Sequence, residues 1–189
     1  MSGPRVRPPV LGFAAWSGTG KTTLLTRLLP LLRQRGVRIG MIKHAHHGFD
    51  VDTPGKDSYE LRKAGAERVL VASRQRLALM VERRPAAEEP QLEELLSHFD
   101  DSGLDVVLVE GFKHLHFPKI ELHRAARRRP LLFPGDRSII AVATDIPVDT
   151  ELPVLDLNDL PAIADFVLHY LTSQTPDGSI PRKQGGHHD

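Results

Sequence analysis

The sequence predicts an α/β fold: a mostly parallel sheet with helices on both faces and one inserted β-hairpin. Three observations predict it. Short apolar runs alternate with amphipathic stretches in βαβ order; the first run passes through a glycine-rich loop straight into a helix; and two later runs end in a carboxylate, at Glu110 and Asp145. Open parallel sheets bind ligands at the carboxyl edge where such residues collect.

The first element is Val10-Leu11-Gly12-Phe13-Ala14, a short apolar run that reads as a buried strand. It leads into Ala15-Trp16-Ser17-Gly18-Thr19-Gly20-Lys21-Thr22-Thr23. Glycines let successive N–H groups turn inward, Lys21 places a point charge on phosphates, and the Thr22 hydroxyl suits Mg²⁺. The helix that follows adds its positive end. The usual G-x-x-x-x-G-K-[ST] spacing is kept except that Ala15 stands at its first position. This combination predicts a P-loop NTPase-like sheet, with Ser17, Gly18, Thr19, Gly20, Lys21, Thr22 and Thr23 as candidate phosphate-binding residues.

Leu24, Leu25, Leu28, Leu29, Leu31 and Leu32 form the apolar side of the first helix, which is expected to end near Gly36 and to kink or tighten at Pro30. Val37 to Ile42 reads as a second strand delivering Lys43 and His44 to the edge of the sheet, where either could meet phosphates or a second substrate. Ala45 to Gly55 has turn chemistry without an apolar period, and Asp57-Ser58-Tyr59-Glu60 has the form of a capping box opening a short helix to Gly65. Val69–Ala72 and Leu77–Val81 flank Ser73-Arg74-Gln75-Arg76 as a hairpin. Inserted into an alternating βα chain, it suits assembly.

Pro85 to Pro90 is a polar linker, and Leu92, Leu95, Leu96 and Phe99 mark the next helix. Leu104 to Glu110 is an apolar run closed by a carboxylate, the position at which Walker-B chemistry places an Mg²⁺ partner, so Thr22 and Glu110 are the candidate metal residues. Lys119 to His123 alternates as a further strand, and the Arg124, Arg127, Arg128 and Arg129 run behind it could bind phosphate but reads more readily as a solvated charged loop. Ser138 to Ala143 is another buried strand, ending in Thr144-Asp145. One carboxylate can accept both N1–H and N2–H₂ of guanine, a donor pair that adenine lacks, which makes Asp145 a candidate base reader; an Asp there is also an ordinary turn former. Asn158 and Asp159 are caps for a last helix with Pro161 in its first turn.

The 189 residues, 40% of them hydrophobic, suffice for one core, so residues 1–172 are expected to form a single domain and 173–189 a disordered tail. A net charge of +1 gives no global reason for a nucleic-acid or membrane partner. Without cysteine there is no disulfide, thiolate metal site or cysteine catalysis. No apolar run approaches the roughly 20 residues that span a bilayer, and Met1 to Arg5 leads into no signal-peptide core, so a cytoplasmic protein is expected. His44, His46, His47, His114 and His116 lack a recognisable spacing into a third zinc ligand and read as loop histidines.

Four segments in order closely resemble the MobB family of molybdopterin-guanine dinucleotide biosynthesis adaptors: Ala14 to Leu25, Ile42-Lys43-His44, Gly55 to Ala66 and Val109 to His114. The resemblance spans roughly residues 9 to 171, and the family's own loop carries the alanine at the position of Ala15. It implies a GTP- and Mg²⁺-binding homodimer, weak in hydrolysis, that assists a MobA-type guanylyltransferase and could hold molybdopterin or its guanine dinucleotide. It places Lys56-Asp57-Ser58 near the site without fixing a role. The catalytic residue stays unknown, since Asp52 and Asp57 could orient water but have loop and capping roles as equally good explanations. The rival readings are a small-molecule kinase or ATP-driven ligase, and a structural dimer with a vestigial loop.

Overall fold

The computed structural model describes residues 7–45, 48–83 and 89–174. Its elements run β1 (Val10–Ala14), α1 (Lys21–Gln34), β2 (Ile39–Lys43), α2 (Asp57–Lys63), β3 (Arg68–Ala72), β4 (Leu77–Val81), α3 (Leu92–Leu96), β5 (Val106–Glu110), β6 (Lys119–His123), β7 (Ile139–Thr144), β8 (Val154–Asp156) and α4 (Leu160–Gln174). The chain divides into two compact units, Ala45–Pro90 and the remainder.

The larger unit is built on one six-stranded sheet in the order β2-β5-β1-β6-β7-β8, every neighbouring pair parallel. Strand alternation explains why the apolar runs have no polar period. Val106 and Leu108 point into one core with α1 and α4, while Val107 and Val109 point into a second core with Leu92 and Leu96 of α3. The first core holds Leu28 and Ile163, both fully buried, and truncating such a leucine to alanine costs about 2–5 kcal/mol. β1 lies between β5 and β6, so the loop after β1 emerges where the chain switches sides of the sheet.

Several local expectations change. α1 continues through Pro30, which has no N–H to donate, and ends at Arg35, whose N–H reaches both Leu31 and Leu32 carbonyls. β8 was not predicted; three residues behind Pro153 are too few to give a period. Asp159 caps α4 by accepting the Ala162 N–H at 3.0 Å. Ser173 and Gln174 still belong to α4, and the rest of the predicted tail lies outside the described residues, as does most of the predicted linker.

In the smaller unit the capping box does not form. Lys56 is the N-cap residue and Asp57 already lies inside α2, while Glu60 reaches back two residues further than expected, accepting the Gly55 N–H at 3.2 Å. The hairpin is present as read, with Leu70 opposite Leu79 and Ala72 opposite Leu77. Arg62, buried in this unit, binds Asp50 at 2.7 Å, Asp52 at 2.6 Å and Glu82 at 2.8 Å, tying the 50–52 loop to the strand exit.

Candidate functional site

The glycine loop turns because Gly20, at φ 100°, adopts the left-handed conformation that costs a side chain most, directly before α1. Thr19 is buried and closes the turn, its hydroxyl and N–H both donating to the Trp16 carbonyl, at 2.7 and 3.3 Å. Ser17, Thr22 and Thr23 remain exposed at the mouth. Lys21 folds back to donate to the Ala15 carbonyl at 3.3 Å. Half-burial lowers its pKa from 10.5, and the neighbouring Lys113 and Lys43 charges lower it further against the opposing pull of Glu110.

Glu110 arrives at the loop from the end of β5, and the Thr22 hydroxyl donates to its Oε1 at 3.3 Å. A hydroxyl and a carboxylate converging beside a phosphate loop are the hard oxygen donors that Mg²⁺ takes, so these residues fit that ion. The next residue must be glycine. A side chain on Gly111 would bring its Cβ within 2.5 Å of the His44 Cβ, at φ 110°. This close approach sets Lys43 opposite Glu110 in the ladder and stacks His44 on Phe112, centroids 4.5 Å apart, with Phe112 itself held at φ 50°. The Ile42-Lys43-His44 and Glu110-Gly111-Phe112 segments are therefore one structural unit.

Asp145 follows β7. Its Oδ1 accepts the Ala125 N–H at 2.9 Å, and its Oδ2 faces Arg124 Nη1 at 3.8 Å. A carboxylate has about four lone-pair directions, so both oxygens keep acceptor capacity. Beside it lies a cleft of about 340 Å³ lined by Asp145, Ile146, Pro147, Leu155, Asp156 and Asn158, formed at the carboxyl ends of β7 and β8.

Arg127, Arg128 and Arg129 are exposed, as in a solvated loop, yet the run also packs beside the glycine loop. Arg124 Nε donates to the Thr19 carbonyl at 3.2 Å, and the Arg127 guanidinium lies 3.5–3.7 Å from where a Cβ on Gly18 would stand. Arg129 and Lys113 approach the Trp16 ring at 5.6 and 4.5 Å from its centroid, and Trp16 Nε1 donates to the Pro130 carbonyl at 2.8 Å. Sequence reasoning ranked phosphate binding second for these arginines because a charge run carries no record of what folds against it. The available signal was β6, which places Lys119, Glu121 and His123 on one buried face. Glu121 accepts the Leu132 and Phe133 N–H groups at 2.7 and 2.8 Å, His123 meets the Arg129 carbonyl at 3.1 Å, and Lys119 pairs with Asp136 at 2.7 Å. Burial raises the Glu121 pKa, against the two N–H groups that favour its charge. Three buried polar side chains in one strand thus anchor the chain from Arg129 to Asp136, His123 holding the arginine-bearing segment itself.

Among the described residues no cluster of three or more histidine, aspartate or glutamate side chains is arranged to hold a metal ion; His46 and His47 lie outside them. No helix among them is long and apolar enough to cross a membrane.

The parallel sheet, the glycine loop opening α1 and the carboxylate at the end of β5 define a P-loop-type α/β protein. Residues 10–145 match the MobB family, described as molybdopterin guanine dinucleotide synthesis protein B. The chain is similar to the molybdopterin-guanine dinucleotide biosynthesis adapter proteins of Escherichia coli, at 56% identity over 88% of this chain and 95% of that protein, and of Haemophilus influenzae, at 43% over 86% and 89%. Its fold is similar to a crystal structure of molybdopterin-guanine biosynthesis protein B, with TM-score 0.68 and 30% identity over 86% and 98% of the two chains. Bacillus subtilis MobB superimposes with TM-score 0.66 at 27% identity, over 85% and 96%. The chain belongs to the MobB family, and its role is that of an adapter in molybdopterin guanine dinucleotide biosynthesis.

Proposed function

We propose that the protein binds GTP with Mg²⁺ and presents it to a MobA-type guanylyltransferase, which joins GMP to molybdopterin. The observation that carries this reading is the placement of Asp145 within the span of one arginine side chain from the glycine loop, because Arg124 touches both Thr19 and Asp145. Phosphate ligands and a guanine-type acceptor thereby face one site, with the cleft beside Asp145 offering room for a base. Ser17 to Thr23 receive the phosphates, Lys43 and His44 stand at the neighbouring strand end, and Thr22 with Glu110 would hold Mg²⁺. When bound, that ion neutralises phosphate charge.

Hydrolysis in this reading is slow. Asp52 is engaged with Arg62, which gives that carboxylate a structural role. Molybdopterin or its guanine dinucleotide is a second ligand of the same surface, since either carries phosphate that the glycine loop could take.

The protein acts as a homodimer formed through the hairpin. Leu70, Leu77, Leu79 and Val81 share one hairpin face and are 47–65% exposed, an apolar surface that an isolated two-stranded ribbon does not keep in water without a partner. A cytoplasmic setting belongs to the same reading, because GTP and Mg²⁺ are available there.

Thermal melting with GTP, ATP and GDP, each with and without Mg²⁺, tests the reading. A ligand present at a hundredfold its Kd stabilises by about 2.7 kcal/mol. GTP with Mg²⁺ is expected to give the largest shift. An equal shift with ATP would remove the guanine assignment, and rapid phosphoryl transfer to a small acceptor would replace the adaptor by a kinase.

A further inference from the structure

We propose that the loop from Arg124 to Pro130 is a second wall of the phosphate site, in which Arg127 and Arg124 bind polyphosphate alongside Lys21. The inference rests on the glycine loop being a phosphate site and adds the residues that close it.

The first argument is placement. Arg127 lies on a single 3₁₀ turn, Ala125–Arg127, and its guanidinium sits against Gly18, while Arg124 sits against Thr19 and Gly20. Backbone N–H groups exposed by such glycines hold a phosphate close to the loop. The Arg127 guanidinium and Arg124 Nε lie 3.5–3.9 Å from where side chains on Gly18 and Gly20 would begin, and from there they border that phosphate. Their planar forks match two phosphate oxygens at once.

The second argument is rigidity. The arginine loop is fastened at three points, Ala125 N–H to Asp145, the Arg129 carbonyl to His123 and the Pro130 carbonyl to Trp16, and the chain just beyond it at a fourth, Leu132 with Phe133 to Glu121. A solvated loop needs none of these. Two of the fastenings consume buried polar groups on β6, which are costly to place unless fully hydrogen-bonded. The fold therefore holds the arginines at the glycine loop at some expense.

The third argument is charge. The whole chain carries only +1, yet Lys21, Lys43, Lys113, Arg124, Arg127 and Arg129 gather about this one loop. Glu110 and Asp145 are the carboxylates facing them. So many like charges repel one another until a polyanion neutralises them, and a triphosphate has the charge and size to do so.

The test is calorimetric titration of the full chain with Mg²⁺-GTP and, separately, with Mg²⁺-tripolyphosphate, which has no base. Arg127→Ala, Arg127→Lys, Arg124→Ala and Arg128→Ala are compared with wild type, each checked for an unchanged melting temperature. Arg128 is next in the chain and its loss removes the same charge, so it controls for long-range electrostatics. Arg127→Ala is expected to weaken both ligands by roughly tenfold or more, Arg127→Lys to recover part of that loss, and Arg128→Ala to change either by about twofold at most. Arg124→Ala is expected to follow Arg127→Ala; if it alone lowers the melting temperature, Arg127 decides. Equal effects of Arg127→Ala and Arg128→Ala would overturn the inference while leaving GTP binding intact. Wild type binding tripolyphosphate as tightly as GTP would remove the guanine reading and leave the arginine wall standing. Wild type binding neither ligand would remove both.

Discussion

Thr22 and Glu110, 88 positions apart, meet across the mouth of the glycine loop, the threonine hydroxyl donating to the glutamate at 3.3 Å. Parallel pairing of β1 with β5 brings this about, since Phe13 lies opposite Glu110 in the ladder. Glu110→Gln keeps the size and removes the charge. It is expected to abolish most of the gain in GTP affinity that Mg²⁺ provides, about tenfold or ~1.4 kcal/mol, as measured by titration with and without the ion. An undiminished Mg²⁺ effect would place the metal elsewhere.

Lys21 carries a lowered pKa, so the free protein loses this proton below pH 10.5. Phosphate binds the protonated form, and the sign follows: affinity falls as pH rises through the lowered pKa of the free protein. Lys21→Arg stays charged throughout, so its affinity is expected to lack this alkaline limb. Lys21→Ala is expected to cost about 1.5–3 kcal/mol, roughly ten- to a hundredfold in Kd at neutral pH.

Asp145→Asn leaves an amide oxygen to accept the Ala125 N–H, so the loop stays in place. Its NH₂ then opposes the guanine donors. Discrimination of GTP against ATP is expected to shrink by about tenfold or more, since an unpaired polar contact costs roughly 1–3 kcal/mol. Competition titration of the two nucleotides reads this directly.

The hairpin gives a prediction about assembly. Leu79→Asp replaces a side chain worth about 1.5–3 kcal/mol of burial in each copy by a charge, and is expected to shift a dimer to monomer in sedimentation velocity. A dimer of unchanged stability would locate the interface away from this face.

Acidification should act first on the smaller unit. Hydrogen bonding to Arg62 holds the Asp52 pKa below its usual 3.8. A carboxylate whose folded pKa is depressed contributes stability that is complete above 3.8 and is lost as pH falls through the lower, folded value. Amide protection in α2 and the hairpin, measured against the intrinsic exchange rate at each pH, is expected to fall in that acid window, and Asp52→Asn to remove the dependence. Protection that does not change with pH in wild type would mean the Arg62 cluster is not what holds the unit.

The elements with a strong local signature were legible in the chain. β1, β5 and β7 are apolar runs buried on both faces, and the glycine loop has the spacing of a turn that joins a strand to a helix. Lys43-His44 and Glu110 were identified as strand-end residues because a period that stops in a polar group marks an edge. The capping box failed because sequence spacing cannot say which residue leaves the helix. Glu60 reached Gly55 once Lys56 took the N-cap position.

By itself the sequence determined the fold class and singled out the glycine loop and the carboxylate that ends β5, because each depends on a short range of residues whose chemistry is read locally. Only the tertiary structure decided that His44 stacks on Phe112 and that Arg124 and Arg127 face the glycines. A charged run reads the same in solvent as against a binding loop. What separates the two cases is the hydrogen bonding of Lys119, Glu121 and His123 beneath it, and those contacts exist only once β6 lies in the sheet beside β1.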